Sequence, residues 1–128
     1  MKDYKYFTAT ELECHCRQCN GEMNDIFMSK LIALRKDCAF PFHIGSAYRC
    51  PEHNADVGGG EQSGHLYGRA VDIIVSGRKG HKLIGLAGKH GITGIGIKQH
   101  GPYEDRFIHL DDLTNTHDQP RPHLWSYP

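Results

Sequence analysis

Two histidines and one aspartate have the residue types and the spacing of a metal site. His65 precedes Asp72 by seven residues, and His109 lies in the segment Phe107-Ile-His-Leu. Asp72 interrupts the apolar run 70–75, where a buried carboxylate needs a cation, a hydrogen-bond network or a metal. Two imidazoles and one carboxylate make a three-ligand zinc site with an open fourth position, which is typical of catalytic zinc. Such a metal activates water and polarises a substrate carbonyl group.

The predicted strands decide which of these side chains face the same way, because side chains alternate along a strand. Asp72 and His109 each point away from the apolar side chains of their strands, residues 70–75 and 107–110. The segment Gly94-Ile-Gly-Ile has an apolar face and a glycine face, and glycine in a strand marks close approach of a bulky group. If the three strands pair, they present an aspartate, a histidine and a bare surface to one side. A single buried histidine or aspartate is more often a hydrogen-bonded core residue than a metal ligand. The metal site is therefore indicated by the three residues together on one face.

Helical and strand patterns alternate along the chain. Apolar residues recur at helical spacing from Asn24 to Ala39, and Pro51 begins a short helix that ends at glycines 58–60. Ser76 is expected to cap a further helix that stops at Gly91. Strands are predicted at His43–Tyr48, Ala70–Val75, Thr93–Lys98 and Phe107–Leu110. Because no βαβ rhythm repeats, we predict one α+β domain over residues 1–128, with a small antiparallel sheet and flanking helices.

The C-terminal residues carry two prolines, Pro120 and Pro122. Proline removes a backbone donor and interrupts regular structure. We therefore expect a tail that wraps the surface, with Trp125 and Tyr127 as anchors.

Charge and composition exclude several classes of protein. The 128 residues include 15 Lys+Arg and 15 Asp+Glu, which give no net charge and argue against a nucleic-acid or membrane-surface partner. No apolar run approaches the length of a membrane-spanning helix, and the N-terminus lacks the apolar stretch of a signal peptide. We expect a monomer that is synthesised in the cytoplasm.

The five cysteines allow more than one interpretation. Three form the cluster Cys14-His-Cys16-Arg-Gln-Cys19, whereas Cys38 and Cys50 stand apart downstream. One alternative is a second, structural zinc site made by the cluster and a distant cysteine or histidine, and another is a disulfide. Since no second Cys-x-x-Cys pair occurs, we favour ordinary reduced thiols that are structural at most and never nucleophilic.

The motif Ser63-x-His65-x-x-Gly-x-Ala-x-Asp72, followed by Phe-Ile-His109-Leu-Asp, resembles the zinc D-Ala-D-Ala carboxypeptidase family. The fold of that family is shared with the hedgehog signalling domain. The segment Ile44-Gly-Ser-Ala-Tyr-Arg-Cys is similar to the family's segment before the metal motif. Gly94-Ile-Gly-Ile and the closing Trp125-Ser-Tyr are similar to its small single-domain members from bacteria and tailed phages.

The resemblance implies a specific site and substrate. It implies Zn²⁺ held by His65, Asp72 and His109, and hydrolysis of peptide bonds in the stem peptide of bacterial peptidoglycan. Arg49 matches a family arginine that binds substrate or the developing oxyanion. Ser63 lies where the family contacts substrate.

The chain departs from the family pattern at the general base. Family members place a Glu or Asp three residues before the second histidine ligand, and this position is Arg106 here. We take Asp111 as the first candidate for the base, because it shares the strand face of His109 and either reaches the reacting water or orients the histidine. Asp105 is the second candidate, and it requires a bend in the chain.

The sequence therefore predicts a zinc peptidase of the bacterial cell wall, phage endolysin-like, virion-associated or bacterial. Reaching the wall then requires holin-type release or assembly into a virion. The bond cut is D-Ala-D-Ala, L-Ala-D-Glu or a cross-bridge. The alternative is a zinc-stabilised binding module of the same fold that performs no hydrolysis.

Overall fold

A five-stranded sheet forms the centre of the structure, a computed structural model that describes residues 1–115 and 119–128. The strands, in chain order, are β1 (Ile44–Ser46), β2 (Ala70–Ile74), β3 (Gly94–Lys98), β4 (Phe107–Asp111) and β5 (His123–Ser126). Their order across the sheet is β1-β2-β4-β3-β5, with β5 parallel to β3 and the other neighbours antiparallel. The predicted α+β fold with flanking helices is confirmed, and the sheet is mostly antiparallel.

Three of the four α-helices lie where the sequence predicts them, and the short first helix was not predicted. They are α1 (Ala9–Leu12), α2 (Asp25–Cys38), α3 (Pro51–Asp56) and α4 (Gly77–Ala87). The Asn24 side chain caps α2 by accepting a hydrogen bond from the backbone N–H of Phe27 at 3.0 Å. Ser76 precedes α4 but makes no side-chain capping bond, contrary to our expectation. Within the described residues, no helix is both long enough and apolar enough to cross a membrane.

One face of the sheet is covered by the apolar core. Val71 and Ile73 of β2 and Ile108 and Leu110 of β4 are fully buried, and they belong to one cluster with apolar side chains of α2 and α4. The alternation of side chains along a strand therefore leaves the opposite face for the polar residues of β2 and β4. The core fixes which side of the sheet carries the site.

The C-terminal segment is the main departure from the predicted fold. Instead of wrapping the surface as a tail, residues His123–Ser126 add β5 to the edge of the sheet, parallel to β3. Pro120 and Pro122 precede this strand and do not interrupt it. An edge strand tolerates nearby proline because only one of its sides needs ladder hydrogen bonds.

A buried ion cluster follows β4. The Asp112 carboxylate is inaccessible to solvent and accepts two hydrogen bonds from Arg69, at 2.8 and 2.7 Å, and one from Lys30 at 2.8 Å. Lys30 belongs to α2, and Arg69 immediately precedes β2. The cluster therefore ties the end of β4 to a helix and to the neighbouring strand.

Candidate active site

A row of residues crosses four strands on the sheet face opposite the core. Asp72 of β2 is directly opposite His109 of β4, His109 is opposite Gly96 of β3, and Gly96 is opposite Trp125 of β5. Directly paired residues point to the same face of a sheet. The expected pairing of the three central strands is therefore confirmed, and β5 adds a tryptophan to the row.

His65 reaches this row from the loop before β2. It lies in a 3₁₀ turn, Gly64–Tyr67, and the Ser63 hydroxyl accepts a hydrogen bond from the backbone N–H of His65 at 3.3 Å. Gly68 ends the turn with a positive φ of 65°, a conformation that glycine adopts without strain. This local fold accounts for the seven-residue spacing between His65 and Asp72.

The three side chains converge on one point. The Nε2 atom of His65 lies 3.3 Å from Oδ1 of Asp72, and the Nδ1 atom of His109 lies 3.0 Å from the same oxygen. The candidate ligand atoms of the three residues all lie within 4.8 Å of one another. Two imidazole nitrogens and one carboxylate oxygen are the donor set of catalytic zinc sites, so the residues present fit a zinc ion.

Hydrogen bonds from behind fix the orientation of both imidazoles. The Nδ1–H group of His65 donates to the backbone carbonyl of Ala47 at 2.6 Å, which leaves Nε2 free to bind a metal. The Nε2–H group of His109 donates to Oδ2 of Asp111 at 2.8 Å, so Nδ1 is the nitrogen that faces Asp72. Such partners fix the tautomer and raise the basicity of metal-binding histidines.

Both carboxylate oxygens of Asp111 accept hydrogen bonds. The guanidinium of Arg121 donates to both carboxylate oxygens at 2.9 Å, and the backbone N–H of Leu113 donates to Oδ1 at 3.2 Å. The carboxylate of Asp111 is fully buried. It therefore contacts the side of the His109 ring that faces away from Asp72.

Neighbouring groups of opposite charge shift the pKa values of Asp72, Asp111 and His109. Burial opposes ionisation of Asp72, but His65 and His109 outweigh it and hold the pKa of Asp72 well below its usual range. Burial also opposes ionisation of Asp111, and hydrogen bonds from His109 and Arg121 hold its pKa equally low. Burial lowers the pKa of His109, whereas Asp111 and Asp72 raise it, to about 9. In the metal-free protein, both carboxylates are therefore anionic at neutral pH.

The site opens into a cleft of about 610 Å³. Arg49 lies in its wall, where its guanidinium donates to Ser46 Oγ at 3.1 Å, to Asn54 Oδ1 at 3.3 Å and to Asp72 Oδ2 at 3.4 Å. The other lining residues come from the 3₁₀ turn and the loop before it, from β2, from β4 and from the C-terminal segment: Val57–Gly60, Gln62–His65, Asp72, Phe107, His109, Asp111, Gln119, Arg121, Trp125 and Tyr127.

Two aromatic side chains occupy the bare face of β3. A Cβ atom added to Gly96 would lie 2.6 Å from the indole ring of Trp125 and 2.8 Å from the ring of Tyr127. The Trp125 ring centroid lies 5.2 Å from that of His109, and the Arg121 guanidinium lies 5.2 Å from the Trp125 ring centroid. The sequence prediction that glycine here admits a bulky group is confirmed, and the group belongs to the chain itself.

The predicted site residues fall into two sets. His65, Asp72 and His109 come together, and Arg49, Ser63 and Asp111 also line the cleft. Asp105 does not line it, since it lies exposed at the end of the 3₁₀ turn Tyr103–Asp105.

Sequence reasoning missed Arg121 because no local pattern places a residue of the presumed tail beside the end of β4. It left open which distant cysteine or histidine joins the N-terminal cysteine cluster, and the structure brings Cys50 to it.

The fold and the site define a class of small α+β domains that carry a His, Asp and His set on one sheet face. Within that class, the chain belongs to the peptidase M15 family, the zinc D-Ala-D-Ala carboxypeptidase-like family, whose model matches residues 5–111. The resemblance found in the sequence is therefore confirmed. A comparison with curated proteins gave no match.

Proposed function

We propose that this protein is a zinc peptidase that hydrolyses peptide bonds in the stem peptides of bacterial peptidoglycan. The observation that carries the proposal is the convergence of His65, Asp72 and His109 at the base of an open cleft. Membership of a family of zinc peptidases supports the reaction class. The peptidoglycan substrate rests on the family resemblance.

The chain's own residues provide the positions for the metal. We propose that His65 through Nε2, His109 through Nδ1 and the carboxylate of Asp72 hold the zinc. When bound, zinc supplies Lewis-acid activation of water and of the scissile carbonyl. Ala47 and Asp111 keep the two imidazoles in the tautomers that binding requires.

Arg49 is the proposed substrate-binding cation. Its guanidinium is anchored by Ser46 and Asn54 beside Asp72, so it can donate to a substrate carbonyl or carboxylate oxygen in the cleft. A preorganised donor of this kind stabilises negative charge that develops on the carbonyl oxygen. Ser63 contributes a further polar group to the same wall.

For Asp111 we propose positioning of His109 as its role, which is one of the two roles that strand geometry allowed. Both of its oxygens are occupied by Arg121, and one also accepts from His109, so the carboxylate is committed to those contacts. Asp105 is exposed and outside the cleft lining, and we assign no proton transfer to it.

The second candidate function is a zinc-stabilised binding module without turnover. It is favoured by one observation: among the described residues, Asp72 and Asp111 are the carboxylates that line the cleft, and both are already engaged. A peptide could occupy such a cleft without a side chain that transfers protons.

The deciding experiment incubates zinc-loaded protein with purified sacculi and identifies the released fragments by mass spectrometry. We expect soluble peptides whose new termini identify the bond as D-Ala-D-Ala, L-Ala-D-Glu or a cross-bridge, and we expect chelator to abolish their release. His109→Ala serves as the metal-deficient control. Binding to sacculi without release of fragments by fully zinc-loaded protein would favour the binding module.

We propose that the protein acts as a monomer that reaches the wall through holin-type release or as a virion component. Sedimentation of the zinc-loaded protein tests the first part of this proposal, and detection of the chain in purified virions tests the last.

A further inference from the structure

A second group of metal-binding side chains lies outside the cleft, where the N-terminal segment meets the start of α3. We propose that four cysteines bind a second zinc ion as thiolate ligands: Cys14, Cys16, Cys19 and Cys50. This proposal is independent of the peptidase function, because it concerns a different set of residues and is tested by metal and thiol content.

The sulfur positions fit a single tetrahedral ion. A zinc–sulfur bond of about 2.3 Å in a tetrahedron places neighbouring sulfurs about 3.8 Å apart. Cys50 Sγ lies 3.7 Å from Cys14 Sγ and 3.7 Å from Cys16 Sγ. With Cys19 included, all four sulfurs lie within 4.8 Å of one another. A four-thiolate set with no remaining open position is typical of structural zinc.

Backbone amides donate hydrogen bonds to two of the four sulfurs. Cys14 Sγ accepts a hydrogen bond from the N–H of Cys50 at 3.4 Å, and Cys16 Sγ accepts one from the N–H of Gln18 at 3.4 Å. Hydrogen bonds to the charged form stabilise it, and the thiolate is the form that binds metal.

The chain is folded tightly around the sulfurs. Arg17 adopts a left-handed conformation with φ of 56°, and its N–H donates to the carbonyl of Cys14 at 3.0 Å, which closes a turn between the first ligands. A non-glycine residue with positive φ is uncommon and marks a position that its surroundings determine. Four thiolates and one Zn²⁺ carry a net charge of −2, and Arg17 and Arg49 lie beside ligands in the sequence.

Cys50 stands apart from the cluster in the sequence and joins it in the structure. Cys50 is the residue before α3, and the end of β1 brings it to Cys14 across 36 positions of sequence. Cys38 does stand apart, since it is buried in the apolar core at the end of α2. The missing fourth ligand is therefore supplied by a single distant cysteine rather than by a second Cys-x-x-Cys pair.

The location of the cluster gives the second zinc a structural role. Cys50 follows Arg49, whose backbone N–H donates to the carbonyl of His65 at 3.1 Å, and Ala47 accepts from the His65 ring. A metal that holds Cys50 to the N-terminal segment would thus also hold the residues that orient His65. Metal binding of this kind adds directly to folding stability.

The test measures bound metal in the full-length protein purified under reducing conditions without added chelator. We expect two zinc ions per chain in the wild type. Cys19→Ser should retain one zinc ion. Its affinity for zinc at the cysteine site should fall by more than about 100-fold, which exceeds the effect of changing a residue that only hydrogen-bonds a ligand. Because Cys19 is exposed, its loss removes no core packing. Cys38→Ser is the matched control and should retain two zinc ions.

Two further measurements identify the ligands. Replacement of zinc by cobalt should give the thiolate-to-metal charge-transfer absorption of a tetrahedral sulfur site in wild type and in His109→Ala, and not in Cys16→Ser. Titration of thiols in the native protein should detect Cys38 at most, and all five cysteines after unfolding in chelator. A single zinc per chain that all cysteine variants retain would overturn the proposal. Detection of only three thiols in unfolded, unreduced protein would do so as well, because it would show a disulfide.

Discussion

The role of Asp111 can be decided by removing its charge while keeping its shape. Asp111→Asn retains a carbonyl oxygen that can accept from His109, but it loses the negative charge and one of the two acceptors for Arg121. If Asp111 positions His109, the substitution should weaken zinc binding by about 10–100-fold, the usual effect of removing a carboxylate that hydrogen-bonds a metal-binding histidine. This range corresponds to about 1.4–2.7 kcal/mol.

The same substitution has a cost in stability that must be separated from its effect on zinc. Arg121 is nearly inaccessible to solvent, and breaking a buried pair by removing one partner costs about 3–5 kcal/mol. The double variant Asp111→Asn/Arg121→Gln removes both charges and should recover part of this stability. Its zinc affinity should stay low, since His109 still lacks a charged partner.

The assay is competition for zinc with a chromophoric chelator, followed by kcat on muropeptides at saturating zinc. We expect Asp111→Asn to bind zinc more weakly and to recover kcat to within about tenfold of wild type when zinc is in excess. Asp37→Asn is the matched control, because Asp37 also accepts from a histidine, His90, at 2.8 Å but lies away from the cleft.

One result would refute this assignment. If Asp111→Asn binds zinc with wild-type affinity and loses at least about 100-fold in kcat, Asp111 acts as the general base instead. The same loss in Asp105→Asn, with zinc retained, would assign the base to Asp105 and would require that exposed turn to move into the cleft.

The remaining predictions concern the metal, the row of residues and the ion cluster. Asp72→Ala should lose the zinc of the cleft and all hydrolysis, which metal analysis of the purified protein checks. Gly96→Ala should displace the single tryptophan, Trp125, at a cost of about 1–3 kcal/mol, and should shift its fluorescence while the far-UV circular dichroism stays unchanged. Asp112→Asn should lower the free energy of unfolding by about 3 kcal/mol, measured in urea, because Arg69 and a lysine lose a buried partner. Serine at all three positions of the Cys14–Cys19 cluster should leave the zinc of the cleft in place and lower the Tm.

Much of the fold follows from local patterns in the sequence. Alternating side chains placed Asp72 and His109 on one face, and helical spacing placed α2. These features depend on neighbouring residues, so periodicity is sufficient to predict them. β5 was mistaken for a surface tail because its partner strand, β3, lies about 30 positions earlier in the sequence. An edge strand also needs little apolar alternation, so its own residues carry only a weak strand pattern.

The grouping of the three candidate ligands was predictable from the sequence, whereas the residues that hold them in place were not. The spacing of His65 and Asp72 carries a local signal, since one turn and one strand position both residues. The contact between Arg121 and Asp111 depends on where the C-terminal segment docks, and the contact between Cys50 and Cys14 depends on how β1 meets the N-terminus. Neither contact leaves a pattern in adjacent residues.

The residues that line the cleft belong to two parts of the chain, the part that the family model matches and the C-terminal segment with β5. The family model ends at Asp111, the last residue of β4, and this matched part contains all three candidate ligands of the cleft. Trp125 and Tyr127 also line the cleft, and they lie beyond the matched part, on or beside the edge strand β5. A directed library confined to residues 123–127 would therefore change side chains that line the cleft while leaving His65, Asp72 and His109 in place in the sequence. This segment is therefore the natural starting point for changing what the cleft accepts.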